Sequence, residues 1–456
     1  MNRRFDAIVI GAGQAGPPMA GRIAATGKTV AIIERKLIGG TCVNTGCTPT
    51  KTLVATAYAA HLARRAGDFG LSAGAVGVDF AAVMARKDKV VGNSRSSVEG
   101  WLRGMANCTL VMGQASFLSP TSVRVGDDVL EADRFFINVG CRAVIPDFPG
   151  IDQVRTLTNT TLLELDALPS RLVIVGGSYI GLEFAQIFRR FGSAVTVVEK
   201  MPRLVPREDE AVSDAIREAL EAEGIIVRLE SECIRFAPRG ADIAVGVNCA
   251  AGEPEEVGSH VLLAVGRRPN TDDLGLDAAG VKTDAHGYIV VDDGLRTNVP
   301  HIWALGDCNG RGAFTHTSYN DYEIVAANLL DGAQRRVSDR IPVYALYVDP
   351  PLGRVGLTEA EARAKGHSVR IGVRPMTRVG RAVEKGETRG FIKVVVDRDS
   401  DAILGAAILG VGGDEAVHGV IEAMAAGVTA TAYTHVVAIH PTVSELVPTV
   451  FGELSP

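Results

Sequence analysis

The chain has 456 residues, 47 Lys and Arg against 53 Asp and Glu, and a net charge of −6. Its 46% apolar and 22% charged residues are those of an ordinary globular protein long enough for two to four domains. No dense Lys/Arg stripe and no run of about 18 apolar residues occurs, which argues against nucleic acid, an anionic membrane surface or a transmembrane helix.

In chain order, residues 6–10 give an apolar strand signal. The turn Gly11-Ala12-Gly13-Gln14-Ala15-Gly16 follows, then a small-residue helix through Ala25 and a second strand at 28–34. The first glycine makes the turn, the second lets backbone approach a pyrophosphate, and the third lets helix and strand pack closely. The helix N-terminus adds N–H donors and a positive dipole end. Glu34 closes the second strand, where a carboxylate takes a ribose diol. Pro17 and Pro18 fall in the helix's first turn, where N–H groups lack intrahelical partners anyway. A strand and glycine turn here, not a signal peptide, are expected.

About 25 residues later comes Gly39-Gly40-Thr41-Cys42-Val43-Asn44-Thr45-Gly46-Cys47-Thr48-Pro49-Thr50-Lys51. No second cysteine pair follows at ligand spacing, so zinc is disfavoured and no metal site is expected. Two sulfurs beside a nucleotide site suggest a dithiol that cycles with a disulfide. On an ideal helix residues five apart exceed the disulfide limit of about 7 Å, so the segment must be irregular, and Gly46 and Pro49 supply the irregularity. Lys51 places positive charge where it favours a thiolate. The remaining cysteines (Cys108, Cys141, Cys233, Cys249, Cys308) read as structural. Seven scattered cysteines are not a secreted disulfide framework, so a reducing cytoplasm is expected.

Residues 52–105 have helical spacing, and 109–139 show short β-like runs ending in Phe135-Phe136-Ile137-Asn138-Val139-Gly140. The opening pattern then returns about 165 residues on: a strand at 171–175, Gly176-Gly177-Ser178-Tyr179-Ile180-Gly181, a helix to about Phe191 and a strand at 194–199. Two such units indicate two nucleotide-binding domains. Ser178 replaces the middle glycine. Glu199 favours a 2′-hydroxyl and hence NADH, whereas Lys200 and Arg203 keep a 2′-phosphate, and NADPH, open. Residues 243–266 are strand-like. After 340, strands at 343–348, 391–396 and 403–409 alternate with helices near 358–366, 413–427 and 443–453, which predicts a separate α+β domain. His440-Pro441-Thr442-Val443-Ser444-Glu445 offers a histidine able to move a proton to and from a thiol, with a carboxylate to hold its tautomer. His61, His286, His301 and His367 read as surface residues.

These residues together resemble the FAD-dependent pyridine nucleotide–disulfide oxidoreductases, which include dihydrolipoamide dehydrogenase, glutathione reductase and mercuric reductase. The likeness spans essentially the whole chain. It rests on Gly39–Lys51, the second glycine turn, Val265-Gly266-Arg267-Arg268-Pro269-Asn270, Ala304-Leu305-Gly306-Asp307 and His440 to Glu445. It implies an α/β fold with two Rossmann-like domains, for FAD and NAD(P), and a C-terminal α+β dimerisation domain. Boundaries are expected at 1–148 (FAD, first part), 149–265 (NAD(P)), 266–338 (FAD and central, second part) and 339–456 (dimerisation).

The resemblance also implies roles. Cys47 is the thiolate beside the flavin and Cys42 the outer sulfur that attacks substrate. Lys51 lies by the flavin and pairs with Glu183, Asp307 binds the flavin's ribityl or pyrophosphate region, and Tyr179 gates the nicotinamide pocket. His440 and Glu445 form an acid–base dyad that reaches the dithiol of the other subunit of a homodimer. FAD is expected on Gly11, Gly13, Gly16, Glu34, Thr41, Lys51, Ala115 and Asp307, and NAD(P) on Gly176, Tyr179, Gly181, Glu183, Glu199 and Gly266.

Electrons are expected to run from NAD(P)H through FAD to Cys42–Cys47, and on to a disulfide or small oxidant. The sequence ends without the terminal cysteine pair of mercuric reductases, so mercury is disfavoured. Alternatives are dihydrolipoamide dehydrogenase, a mercuric-reductase-like reductase of metal ions or reactive chlorine species, a flavin oxidase or diaphorase, and a redox-sensing binding protein with little turnover.

Overall fold

A computed structural model describes residues 2–232, 234–247 and 255–455. Cys233 and Cys249 lie outside them. The chain divides into two compact units. One comprises Met1–Thr52, Met84–Val144 and Val265–Arg340; the other comprises Leu53–Val83, Ile145–Ala264 and Ile341–Pro456.

The first unit is built on a five-stranded sheet in the order Ile302–Ala304, Phe135–Ile137, Ala7–Ile10, Val30–Glu34, Cys108–Met112, parallel throughout. Ala7–Ile10 and Val30–Glu34 are buried along their whole length, as a sheet covered on both faces requires. The alternation of strand side chains sorts the two cores. Ile8, Ile10 and Ile33 join Phe117, Val123, Leu130 and Phe135 on one face. Val9 and Ile32 join Met19, Ile23, Phe136, Trp303 and Leu305 on the other. Trp303 stacks on Phe136 with centroids 5.2 Å apart. A four-stranded sheet, Asn2–Phe5, Asp128–Ala132, Ser122–Val125 and Ala115–Ser119, contributes Phe117, Val123 and Leu130 to the first of these cores.

The second unit repeats the parallel arrangement as Ile226–Arg228, Ala194–Val198, Arg171–Val175, His260–Leu263. Its C-terminal part is an antiparallel five-stranded sheet, Val343–Leu346, Leu352–Gly356, Ile403–Leu409, Phe391–Asp397, Val369–Pro375. Two of these strands, Leu352–Gly356 and Val369–Pro375, go beyond the strands expected from the sequence. Within this unit Arg354, 1% exposed, pairs with Glu208 at 2.5 Å and Asp209 at 3.0 Å. Removing either partner of such a buried pair strands the other's charge, at a cost of about 3–5 kcal/mol.

His61 departs from its expected surface place. It is half-buried on helix Cys47–Arg64, beside Glu223 and Asp349, and burial pushes its imidazole pKa down. The three side chains have metal-ligand spacing, but Arg190 already bonds Glu223 at 2.7 Å and Asp349 at 2.5 Å. The cluster therefore reads as an ion-pair network in which one guanidinium already bonds both carboxylates. No described helix is long and apolar enough to cross a membrane.

Candidate active site

Each parallel sheet carries a glycine turn at the C-terminal end of its leading strand, and the two turns are built alike. After Ala7–Ile10, the helix Gly16–Ala24 starts so close to the strand that a Cβ on Gly16 would stand 2.1 Å from Gly11 O. After Arg171–Val175, a Cβ on Gly181 would stand 2.0 Å from Gly176 O. Glu34 Oε2 accepts from the Ala12 N–H at 3.0 Å and Oε1 from Lys36 N–H at 2.9 Å. Glu199 does the same with Gly177 at 2.6 Å and Met201 at 2.9 Å. Both carboxylates are thus fixed against the turn they serve.

Both turns fit a dinucleotide: a side chain would fill the cradle, a helix N-terminus points into it, and a carboxylate stands where a ribose arrives. On the first, Asn138 Oδ1 accepts from Gly16 N–H at 3.1 Å and would lie 3.1 Å from a Cβ on Gly13. On the second, Gly177 O accepts from Val205 N–H at 2.9 Å, and Tyr179 opens helix Tyr179–Phe191 with its ring 5.6 Å from that of Tyr344. Glu183, on the same helix, accepts from Tyr347 N–H at 3.1 Å. Arg203 is paired with Glu210 at 3.4 Å. Of the residues expected around NAD(P), Gly176, Tyr179, Gly181, Glu183 and Glu199 share the second unit, whereas Gly266 belongs to the first and its carbonyl accepts from Val144 N–H at 3.0 Å.

The thiol segment lies in the first unit. Gly40–Thr45 is a short helix that carries Thr41 and Cys42, and a second helix starts at Cys47. The break is Gly46, at φ −133° and ψ −115°, where a Cβ would stand 2.9 Å from Thr41 O. The irregular link expected from the five-residue spacing is therefore present, but Gly46 alone supplies it and Pro49 does not. Pro49 falls in the first turn of the second helix, where its missing N–H costs little. Cys47 and Lys51, four apart, share one helix face.

Cys42 and Cys47 are half-buried free thiols. Cys47 Sγ lies 3.1 Å from Thr315 Oγ1, at the start of helix Thr315–Leu330, where the helix dipole favours an anion. The Cys47 pKa is lowered to about 6, first by the hydrogen bond from Cys42, then against opposing burial by Thr315 and the Lys51 charge. The Cys42 pKa is raised, first by that same bond and then by burial. The two sulfurs share one proton, and the Thr315 hydroxyl and the Lys51 charge favour the anion on Cys47.

Asp307 Oδ2 accepts from Arg267 Nη1 at 2.5 Å. Ala115 is buried in strand Ala115–Ser119. His440 Nδ1 lies 2.9 Å from Glu445 Oε2, with the histidine side chain 82% exposed and the glutamate 12%. Val437 and Ile439 beside it are 96% and 79% exposed. Sequence reasoning missed Asn138 and Thr315. Asn138 left a signal, a polar residue at the end of the apolar strand Phe135–Ile137; Thr315 left none, since it joins Cys47 across 268 residues.

Comparison with known proteins agrees with this geometry. Residues 5–321 match the family model for pyridine nucleotide-disulphide oxidoreductase, and residues 343–451 match that family's dimerisation domain. The chain is 35% identical to a probable pyridine nucleotide-disulfide oxidoreductase, RclA of Escherichia coli strain K12, covering 98% of this chain and 99% of that one. It is 36% identical to a mercuric reductase of Streptomyces lividans, over 93% and 91% of the two chains. A solved Cu(II) complex of the HOCl-induced flavoprotein disulfide reductase RclA from Escherichia coli superposes with a TM-score of 0.90, at 34% identity and 99% coverage of both chains. The chain belongs to the pyridine nucleotide-disulfide oxidoreductases: it is an enzyme that uses FAD and NAD(P)H to reduce a redox-active cysteine pair, with a C-terminal domain of the kind through which these proteins dimerise.

Proposed function

We propose that the cysteine pair is Cys42–Cys47 and that Cys42 delivers its electrons to a small-molecule disulfide or a thiol-reactive oxidant. The observation that carries this reading is the placement of two half-buried thiols on either side of the Gly46 break, with Cys47 Sγ 3.1 Å from Thr315 Oγ1 and on one helix face with Lys51. Gly11, Gly13, Gly16, Glu34, Thr41, Lys51, Ala115 and Asp307 would hold FAD. Gly176, Tyr179, Gly181, Glu183, Glu199 and Gly266 would hold the nicotinamide dinucleotide. The fixed carboxylate of Glu199 and the engagement of Arg203 by Glu210 support NADH over NADPH. We assign segments 1–148 and 266–338 to the flavin domain, 149–265 to the nicotinamide domain and 339–456 to dimerisation.

Bound FAD and NAD(P)H supply the two electrons. The chain's own residues then do thiol–disulfide chemistry. Cys42 loses its proton to His440 and attacks one sulfur of the substrate disulfide, forming a mixed disulfide and releasing one thiolate, which His440 protonates. Cys47 thiolate attacks Cys42 Sγ, closing the Cys42–Cys47 disulfide and releasing the second thiolate, which takes up a proton. Glu445, at Nδ1, holds the tautomer that leaves Nε2 free for this proton. An 82%-exposed His440 beside exposed Val437 and Ile439 supports a dyad that works on the dithiol of a second subunit. Free thiols at Cys108, Cys141 and Cys308 suit a reducing, cytoplasmic setting.

A second reading has a metal ion as substrate. The similar Escherichia coli protein was solved with Cu(II), and a dithiolate is a soft donor set. The test is a screen of NAD(P)H oxidation over lipoamide, glutathione disulfide, other low-molecular-weight disulfides, Hg(II), Cu(II) and hypochlorous acid, with Cys42→Ser and Cys47→Ser alongside. Turnover with a disulfide that both variants lose is expected. Turnover that both variants keep would sink the dithiol assignment. His440→Ala should slow disulfide turnover and spare artificial electron acceptors.

A further inference from the structure

The segment that carries the thiols is held from two sides. On one side it rests on the first glycine turn: Gly39 N–H donates to Ala12 O at 2.9 Å, and a Cβ on Gly40 would come within 2.7 Å of Gly13 Cα. On the other side it is held by Asn44, which lies between the two cysteines. Asn44 Nδ2 donates to Gly40 O at 2.9 Å and to Ile38 O at 3.0 Å, tying the short helix Gly40–Thr45 back onto the turn before it. An amide has two ends of nearly equal shape, one donating and one accepting. Only the donating end can face those carbonyls. Arg95, half-buried on helix Phe80–Gly104, gives its Nε–H to Asn44 Oδ1 at 2.7 Å. A guanidinium only donates, so it can face only the carbonyl end.

We propose that Arg95 is a positioning residue for the reacting thiols: it fixes the Asn44 amide, the amide fixes helix Gly40–Thr45, and that helix sets where Cys42 stands relative to Cys47. This rests on the reading of Cys42 and Cys47 as the reacting pair. The hydrogen bond from Cys42 is the first cause of the lowered Cys47 pKa, and the cationic charge bearing on Cys47 is that of Lys51. Loosening the helix therefore lifts Cys47 toward its ordinary value through the lost sulfur–sulfur contact, an effect that Asn44→Ala produces with every charge in place.

The full-length flavoprotein, reduced, is alkylated with iodoacetamide over a pH series, and the Cys47 peptide is quantified by mass spectrometry. The wild type should inflect near pH 6, the value to which Cys47 is lowered. Arg95→Met should move the inflection up by about one unit with flavin content and melting temperature little changed. Asn44→Ala should move it likewise, and the double variant no further than either single, since both act on one chain of contacts. Should Arg95→Met not fold, Arg95→Lys carries the same test, because an ammonium on an unbranched stem does not reproduce the Nε bond. An unshifted inflection in the Arg95 variant, or full additivity in the double, overturns the proposal and leaves the dithiol reading intact. A wild type with no cysteine titrating below neutrality overturns the proposal, and failure of the reduced pair to close a Cys42–Cys47 disulfide on oxidation overturns the dithiol reading.

Discussion

The two glycine turns share one plan and differ in what closes over them. Each has a third glycine pressed against its first, and each has a carboxylate bonded through both oxygens to the backbone of its own unit. The first turn is then locked twice more, by Asn138 from a neighbouring strand and by the Gly39–Gly40 backbone that leads into the thiols. The second is backed by Leu204 and Val205 and carries a tyrosine where the first carries Gln14. On the reading proposed above, the same local chemistry would serve a flavin that stays and a dinucleotide that must come and go. On that reading residence is added by closing the turn from outside, and the element that closes the first turn would be the one that accepts its electrons.

Breaking the third glycines tests this most severely. Gly16→Val should yield protein without flavin, seen as loss of visible absorbance. Gly181→Val should keep its flavin and lose dinucleotide affinity by about a hundredfold or more, equivalent to ~2.7 kcal/mol. Equal flavin loss in both variants would erase the distinction between the turns. Next, Asn138→Ala leaves the buried Gly16 N–H without its acceptor, a cost of about 1–3 kcal/mol. Flavin release measured by fluorescence should quicken accordingly while dinucleotide binding stays at the wild-type value. A smaller effect is expected of Glu199→Ala, which should lower the NADH-to-NADPH ratio of kcat/KM by about tenfold, ~1.4 kcal/mol. Smallest is the pH response of the thiols. Alkylation of Cys47 should fall as pH drops through about 6, where its thiolate takes up a proton. Gly181→Val should leave that profile in place, because nothing of the second turn is among the groups that lower the Cys47 pKa.

Much of this was legible in the sequence, for local reasons. Strands at Arg171–Val175 and Ile403–Leu409 stand where apolar runs between turn residues put them. The glycine turns are legible because each position has one steric task. What was hidden depends on distance along the chain. Leu352–Gly356 carries an arginine and two glycines, which argue against a buried strand until Glu208, 146 residues away, supplies the counter-charge. Val369–Pro375 alternates arginines with apolar residues and ends in proline, as an edge strand does. Thr315 reaches Cys47, and Arg95 reaches Asn44, only after the chain has folded, and no spacing rule connects them to the thiol segment.

The exposure of His440, Val437 and Ile439 has a consequence for when the enzyme becomes an enzyme. On the reading proposed above, a lone chain holds cofactor sites and thiols but has its proton carrier facing solvent. Activity per subunit then obeys mass action: it should fall on dilution through the dimer dissociation constant and recover on concentration. A newly made chain would be chemically mute until it met its second copy, so the cell's supply of competent reductase would scale more steeply than its supply of polypeptide.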